Sequence, residues 1–260
     1  MKQREADLYG VDVRVFLPRI QHLKINVTYR CDRGCTNCNR ATGLCPSSKK
    51  EDLSPKQIEN MLNDCVKNNK SWTRITLTGG EPTMHENFEE IVDILMYYKR
   101  KYNQECNVGT YTYHHPKFYY KIENVMKKYP DFEVKDTMKQ KARVHKIAQF
   151  QAPVDMEPDK YNKDHLYHGC NDGSRLCGLG YDITGFYCCP VGAAIARIFK
   201  LDVAIKTVAE ITVKRLIEQY APLCPKCGLY AYYKANVDKN LISPTWLKAI
   251  KEYNEGRLKK

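Results

Sequence analysis

Three cysteines lie within eight residues of this chain, at Cys31, Cys35 and Cys38, in the spacing C-x3-C-x2-C. Thiolates are soft ligands that suit iron–sulfur clusters and zinc. Most such sites are closed by four protein ligands, whereas this run supplies three. Three thiolates on a four-iron cluster leave one iron open to a second molecule. The spacing therefore predicts a metal centre with an open coordination position.

A second stretch with chemical character is the run from Thr78 to Pro82, Thr-Gly-Gly-Glu-Pro. Glycines permit close backbone approach, and the neighbouring carboxylate suits an ammonium group. Both stretches directly follow short runs predicted as strands, 23–28 and 74–77, of which the first alternates apolar and polar residues. Because α/β barrels carry their chemistry on loops at the C-terminal ends of strands, we expect both stretches at that edge of a sheet.

The elements that must position these loops alternate along the chain. Ser54 is the predicted cap of a helix that Pro55 opens. This alternation favours a parallel sheet with right-handed crossovers, and five strands are too few for a complete barrel. We therefore predict an α/β fold with a partial, five- to six-stranded TIM-like β/α barrel. The further predicted elements are helices over 86–101 and 116–129 and strands over 106–112, 132–134 and 146–150.

Together, the cysteine run and the Thr-Gly-Gly-Glu-Pro run resemble the radical S-adenosylmethionine (SAM) superfamily. The resemblance implies that Cys31, Cys35 and Cys38 bind a [4Fe–4S] cluster whose open iron chelates SAM. It also implies reductive cleavage of SAM to methionine and a 5′-deoxyadenosyl radical, which abstracts hydrogen from a substrate. A flavodoxin or ferredoxin would supply the electron. The residues implied to line the SAM site are Thr78, Gly79, Gly80 and Glu81.

One position departs from the family pattern. The residue before the third cysteine is usually aromatic, but here it is Asn37. The departure leaves cluster binding intact, and it implies that the cover for the adenine of SAM comes partly from elsewhere.

A second group of cysteines lies near the C-terminus, and clustering of this kind favours metal over disulfides. The order of a cysteine, a hairpin, a helix and C-x2-C resembles the short twitch extension of some family members, which holds an auxiliary [4Fe–4S] cluster. A zinc ribbon is the alternative for four cysteines. The implied ligands are Cys177, Cys189, Cys224 and Cys227.

Two cysteines remain open alternatives in this second site. Successive strand residues face opposite sides, so Cys188 and Cys189 are not both expected to ligate, and Cys188 is the alternative. Cys170 is the alternative to Cys177. Cys170 or Cys188 could instead donate a hydrogen atom to a substrate radical, as epimerisation requires, or simply be a buried small side chain.

The net charge and the order of the predicted elements limit which partners and domains we expect. The formal net charge is +12, but the basic residues are dispersed, so an ordinary solvated surface explains the charge. Such a surface would tolerate a phosphorylated substrate or an acidic reductant protein. No nucleic-acid-reading motif accompanies the charge, so nucleic acid is not an expected partner. We predict a barrel core over 1–152, a linker and auxiliary-cluster region over 153–235, and a helical tail over 236–260.

No run of about 18 apolar residues is present, so we expect no membrane span. The charged N-terminus lacks the apolar core of a signal peptide, which predicts a cytoplasmic protein. The predicted activity is radical SAM oxidation or epimerisation of a hydroxylated small molecule of the aminocyclitol, sugar or nucleoside type. Modification of a ribosomal peptide is one alternative, disfavoured because about 22 residues precede the first strand. A metal-stabilised nucleic-acid-binding module without SAM cleavage is the other.

Overall fold

The computed structural model describes residues 21–138, 145–159, 177–231, 233 and 241–258. Within these residues a six-stranded sheet has the order β4-β3-β2-β1-β5-β6. The first five strands are parallel, and β6 runs antiparallel to β5. This sheet confirms the predicted α/β class with a partial barrel of five to six strands. The strands are β1 (His22–Thr28), β2 (Arg74–Gly79), β3 (Asn107–Thr112), β4 (Glu133–Asp136), β5 (Leu179–Asp182) and β6 (Gly185–Tyr187).

Helices follow the strands as the alternation predicted, and the first shows why it begins where it does. The Ser54 side chain accepts a hydrogen bond from the Gln57 backbone N–H, and the Gln57 side chain accepts from Ser54 N–H, which is a capping box. The α-helices are α1 (Pro55–Lys67), α2 (Phe88–Tyr102), α3 (Tyr119–Lys128), α4 (Pro153–Met156), α5 (Pro190–Phe199), α6 (Val213–Glu218), α7 (Tyr220–Leu223), α8 (Gly228–Ala231) and α9 (Pro244–Leu258).

The two faces of the sheet differ in chemistry because successive strand residues point to opposite sides. Leu23, Ile25 and Val27 of β1 are fully buried in the hydrophobic core, which also contains the apolar stripes of α1 and α2. Lys24 and Asn26 alternate with them and share the other face with the polar residues in register on β2. We call this side the polar face, and the candidate site lies on it. The registered residues of the polar face on β2 and β3 are Thr76, Thr78, Gly109 and Tyr111.

One predicted strand, 146–150, is wrong. The backbone N–H of Ala148 donates to Tyr233 O at 2.9 Å, and Phe150 packs edge-to-face on Trp246 of α9 with ring centroids 5.1 Å apart. The run is apolar because it is buried against C-terminal elements, not because it pairs with β4. The fifth strand is instead Leu179–Asp182, which pairs with β1 directly.

The hairpin predicted as part of an extension belongs to the same sheet. Its first strand pairs with β1 through Leu23 and Leu179, so the C-terminal cysteines are carried next to the strand that leads into the cysteine loop. Helix α5 was not predicted, because its residues are buried nearly all round and show no polar face from which a helical period could be read. Across the described ranges, no helix has the length and apolarity needed to span a bilayer.

Candidate active site

A pocket of about 250 Å³ lies on the polar face at the C-terminal ends of β1, β2 and β3. Its wall brings together all the residues implied for the cluster and for SAM, from two loops about 40 residues apart in sequence. Loops at this edge of a parallel sheet are the usual location of active sites in barrels. The seven residues are Cys31, Cys35, Cys38, Thr78, Gly79, Gly80 and Glu81.

The cysteine loop turns tightly after β1. Cys38 N–H donates to Cys35 O at 3.3 Å, and Cys35 and Cys38 are each 7% exposed. Asn37 has a φ of 55°, in the left-handed region that asparagine tolerates better than an aromatic residue does. Its side chain is buried, with 1% exposure, whereas Tyr111, Tyr113 and His145 supply rings to the pocket wall. Asparagine therefore suits the backbone conformation at this position.

Gly79 and Gly80 let the loop after β2 lie against the backbone that enters the cysteine loop. A β-carbon on Gly79 would stand 2.0 Å from Thr28 O, and one on Gly80 would stand 2.1 Å from Arg30 O. The approach is stabilised by Gly80 N–H donating to Thr28 O at 2.7 Å and Glu81 N–H donating to Arg30 O at 2.9 Å. Thus the two glycines serve contact between the two loops, and any larger residue would push them apart.

Glu81 is 1% exposed and is tied to the end of β3. Its Oε1 accepts from the Thr112 hydroxyl at 2.6 Å and from the Thr83 hydroxyl at 2.7 Å. Its Oε2 accepts from Tyr113 N–H at 3.1 Å. A carboxylate oxygen can accept two hydrogen bonds, so Oε2 keeps capacity for one more donor from the pocket.

Asp32 connects the cysteine loop to the residues that follow β3. Its carboxylate accepts a hydrogen bond from the Tyr113 hydroxyl, and its Oδ2 lies 3.1 Å from His115 Nε2. Burial favours a higher pKa for Asp32, but the Tyr113 hydrogen bond and the charge of His115 outweigh it and lower the pKa. Burial and the neighbouring Asp32 raise the pKa of Tyr113. The Arg33 guanidinium lies over the Tyr113 ring, 4.2 Å from its centroid.

The residues present fit a [4Fe–4S] cluster with an open iron. None of the cysteines within the described ranges forms a disulfide. Burial raises the pKa of the Cys31 thiol to about 12, and the nearby thiols and Glu81 act in the same direction, so iron must displace a proton to bind there. In the part of the chain that the structure describes, no three His, Cys, Asp or Glu side chains converge on a point that would hold a single metal ion. A cubane bonds its thiolates at separate iron atoms, so three cysteines on one pocket wall suit it and leave one iron open.

The C-terminal cysteines lie on the β5 side of the same sheet. Strand β6 ends at Tyr187, so the alternation used to separate Cys188 from Cys189 does not apply to them. Their sulfurs lie 3.6 and 3.4 Å from the position that a β-carbon would take on Gly192, which places both beside the first turn of α5. Cys189 caps this helix, because its sulfur accepts from Gly192 N–H at 3.1 Å.

The remaining cysteines of this group come from two other places. Cys227 N–H closes a turn on Cys224 O at 3.0 Å, and the Cys227 sulfur lies 3.8 Å from Gln149 Nε2. Cys177 comes two residues before β5. Cys170 lies outside the described residues, so both of its predicted roles remain predictions. The choice of ligands among these cysteines likewise remains a prediction.

Cys188, His114 and His115 each have close neighbours among the described residues. Cys188 is 2% exposed, and its backbone N–H donates to Gln219 Oε1 at 2.5 Å. The His114 ring packs against Tyr119 with centroids 5.2 Å apart. His115 accepts at Nδ1 from Lys117 N–H at 3.1 Å in addition to pairing with Asp32.

Sequence reasoning missed several polar residues of the pocket wall. Lys24 was detectable, since the two-residue period of β1 puts it on the same side as Asn26. Thr137 and His145 gave no signal, because they lie outside regular elements. The Thr137 hydroxyl and His145 Nε2 are buried and have no hydrogen-bond partner among the residues that the structure describes, which makes them candidates to contact a bound molecule. Arg40, which donates to Asn26 Oδ1 at 3.0 Å, also lines the wall.

Comparisons with known proteins bear most directly on residues 25–142 of the chain. Residues 25–142 match the family model described as the Radical SAM superfamily. No curated protein sequence matches the chain.

Two solved structures show limited similarity. Streptococcus suis SuiB bound to S-adenosylmethionine is 14% identical with a TM-score of 0.37, over 59% of this chain and 30% of SuiB. BtrN in complex with AdoMet and 2-DOIA is 12% identical with a TM-score of 0.44, over 85% of this chain and 95% of BtrN. This chain thus covers under a third of the length of SuiB and nearly all of BtrN. The span matched by the family model contains both the cysteine loop and the Thr78–Glu81 loop, so the residues that build the site lie in the part of the chain that matches the radical SAM superfamily.

Proposed function

We propose that this protein binds SAM in the pocket at the ends of β1–β3, cleaves it reductively, and oxidises a hydroxylated small molecule. The observation that carries the proposal is the convergence of Cys31, Cys35, Cys38 and the Thr78–Glu81 loop on one pocket wall. A [4Fe–4S] cluster with SAM on its open iron supplies a 5′-deoxyadenosyl radical when both are bound.

The chain's own residues would then bind and orient these groups. Cys31, Cys35 and Cys38 hold the cluster as thiolates. The remaining acceptor position on Glu81 Oε2 suits the ammonium group of SAM, and its other hydrogen bonds fix the carboxylate for that contact. Thr137 and His145 line the same pocket, and each has a buried polar atom that finds no hydrogen-bond partner among the described residues, so they are available to orient SAM or substrate.

The C-terminal cysteines are proposed to hold an auxiliary [4Fe–4S] cluster. Cys177, Cys224, Cys227 and one of Cys188 and Cys189 supply the thiolates, as the sequence order implied. The first turn of α5 carries Cys189 onto the polar face, next to Asn26, whose side chain donates to Pro190 O at 3.3 Å. Such a cluster would accept the electron that the substrate loses on oxidation, and a proton would leave to solvent.

The position of Cys188 argues against this residue as the hydrogen donor for epimerisation, whereas Cys170, the other candidate, lies outside the described residues. Epimerisation needs a thiol that reaches the substrate radical, but Cys188 is buried beside Gln219 and does not contribute to the wall of the SAM pocket. We propose a flavodoxin or ferredoxin as the reductant, and a cytoplasmic location, where thiols of this kind stay reduced.

Anaerobic reconstitution with iron and sulfide, followed by incubation with SAM and dithionite, tests this function. We expect 5′-deoxyadenosine from the wild-type protein, none from Cys35→Ala, and wild-type yields from Cys106→Ala. Cys106 is buried in the core away from the pocket, so it controls for loss of a buried thiol. With deuterated polyols or aminocyclitols, deuterium in 5′-deoxyadenosine would identify the substrate class. An iron-loaded protein that never yields 5′-deoxyadenosine would refute the proposal.

A further inference from the structure

Lys24 occupies a position between the two groups of cysteines. It lies half-buried on the polar face of β1, in the wall of the SAM pocket. Its backbone is in register with Gly180 of β5 on one side and with Thr76 of β2 on the other. Residues in register on a parallel sheet point to the same side, so the Lys24 side chain and the space above Gly180 are neighbours.

The space above Gly180 is filled by the start of α5. A β-carbon on Gly180 would stand 2.7 Å from Cys189 O and 2.6 Å from the α-carbon of Pro190. Cys189 is thus held against the sheet directly beside Lys24. Cys177 also lies close to β1. Its neighbour Gly178 approaches the start of β1 so closely that a β-carbon on Gly178 would stand 2.6 Å from His22 O.

The electrostatics agree with this geometry. Burial lowers the pKa of Lys24, the charges of Arg40 and Lys135 act in the same direction, and Cys177 and Cys189 act against them. The lysine therefore interacts with two of the proposed auxiliary ligands. Arg40 is itself 7% exposed, so two cations share this partly dehydrated face.

A positive charge at this position has a definite effect on an iron–sulfur centre. Reduction adds one negative charge to a cluster that its four thiolates already make anionic. A nearby cation in a partly dehydrated environment stabilises the reduced form more than the oxidised form, which raises the reduction potential.

We infer that Lys24 is a positioning residue for electron transfer, whose ammonium group raises the reduction potential of the auxiliary cluster held by Cys177 and Cys189. The inference rests on the auxiliary cluster of the proposed function. Lys24 acts through the cluster and does not need to contact the reacting atoms of the substrate.

An EPR-monitored redox titration of the full-length chain tests this role. Cys31, Cys35 and Cys38 are replaced by alanine in every sample, so that the auxiliary cluster gives the only signal. Lys24→Met and Lys24→Gln remove the charge, and Lys24→Arg keeps it. Lys135→Met is the matched control, because Lys135 is exposed and its ammonium lies 5.3 Å from the same Tyr111 ring that the Lys24 ammonium approaches to 5.4 Å.

We expect the midpoint potential to fall in Lys24→Met and Lys24→Gln, and to stay at the parent value in Lys24→Arg and Lys135→Met. A parent-like potential in both neutral Lys24 variants would overturn the inference, as would an equal shift in Lys135→Met. Loss of iron from both neutral variants would also overturn it, because Lys24 would then act in assembly. If the parent chain binds no iron, the auxiliary cluster and this inference both fail. Formation of 5′-deoxyadenosine by the wild-type protein tests SAM cleavage separately.

Discussion

The Glu81 carboxylate accepts a hydrogen bond from the Thr112 hydroxyl at 2.6 Å, across the gap between the loop after β2 and the end of β3. Both residues are almost completely buried, at 1% exposure each. Glu81 also holds the loop to Arg30 through its backbone N–H. The loop is therefore fixed on both sides before any ligand enters, and this rigidity is what a site that must orient SAM requires.

Removing the Thr112 hydroxyl is expected to destabilise the protein. Thr112→Val keeps the side-chain shape but deletes two hydrogen bonds, the buried one to the Glu81 carboxylate and the one that the hydroxyl accepts from His114 N–H at 2.9 Å. The bond to the charged acceptor alone typically costs about 1.5–3 kcal/mol. Urea unfolding of the apoprotein measures the loss. Thr73→Val is the matched control, since the Thr73 hydroxyl is exposed and bonds a neutral carbonyl at 3.2 Å, so its loss should cost roughly 1 kcal/mol or less. Equal losses in the two variants would contradict the account of Glu81.

The close approach at Gly80 predicts a steep penalty for a single methyl group. Gly80→Ala would drive a β-carbon against Arg30 O, so we expect a loss above about 2 kcal/mol and weakened binding of SAM. Gly34→Ala is the comparison within the cysteine loop. Gly34 has a φ of 55° but no atom within 4 Å of its would-be β-carbon, so only the left-handed backbone opposes the change, at about 1 kcal/mol. Thermal unfolding of both variants gives the order, and a milder effect at Gly80 than at Gly34 would be inconsistent with the structure.

The left-handed backbone of Asn37 makes the family's usual aromatic residue unfavourable here. Asn37→Phe should lower apoprotein stability by at least about 1 kcal/mol, because the aromatic residue must adopt the same positive φ in a buried position. Asn37→Gly removes the side chain and keeps the conformation, so it should fold with a smaller loss. A Phe variant as stable as wild type, or more stable than the Gly variant, would show that backbone conformation does not select asparagine.

The pairing of Asp32 with Tyr113 and His115 predicts a pH dependence with a definite sign. The pKa of Asp32 is lowered from its ordinary value of 3.8, so the folded state favours the ionised carboxylate. The stabilisation is present above pH 3.8 and is lost as the pH falls through the lower, folded pKa. We expect wild type to exceed Asp32→Asn in stability near neutral pH, with the difference shrinking below pH 4. Because Asp32 is about half exposed, the effect is small. Urea titrations at a series of pH values measure it, and a difference that grows on acidification would have the wrong sign.

Local patterns predicted the parts of the site that depend on near neighbours in sequence. Ser54 and Pro55 marked the start of α1, the alternation through Lys24 and Asn26 marked β1, and strand ends located both loops of the pocket. The same alternation was applied to Cys188 and Cys189, which lie past the end of β6. No strand pairing fixes which side each of these two residues faces, so the choice between them stays a prediction.

Features created by long-range packing were not predicted from the sequence. The 146–150 run carries strand-like residues, yet Ala148 and Phe150 are buried by contacts with residues some 80 or more positions later. Helix α5 is buried nearly all round, so no periodicity revealed it. The hydrogen bonds that Glu81 accepts from the end of β3, the positive φ of Asn37 and the proximity of Lys24 to Cys189 depend on how strands and loops meet in space. Spacing in one sequence does not encode this.

The central claim is that Cys31, Cys35 and Cys38 hold a cluster whose open iron binds SAM. It is tested most directly by the EPR spectrum of the reduced, reconstituted Cys224→Ala/Cys227→Ala variant, recorded without and with SAM. Removing two of the proposed auxiliary ligands leaves the first cluster as the source of the signal. The account predicts a [4Fe–4S] signal that changes on addition of SAM and disappears when Cys35 is also replaced by alanine. A signal that does not change on addition of SAM, or that remains when Cys35 is replaced, would contradict this claim.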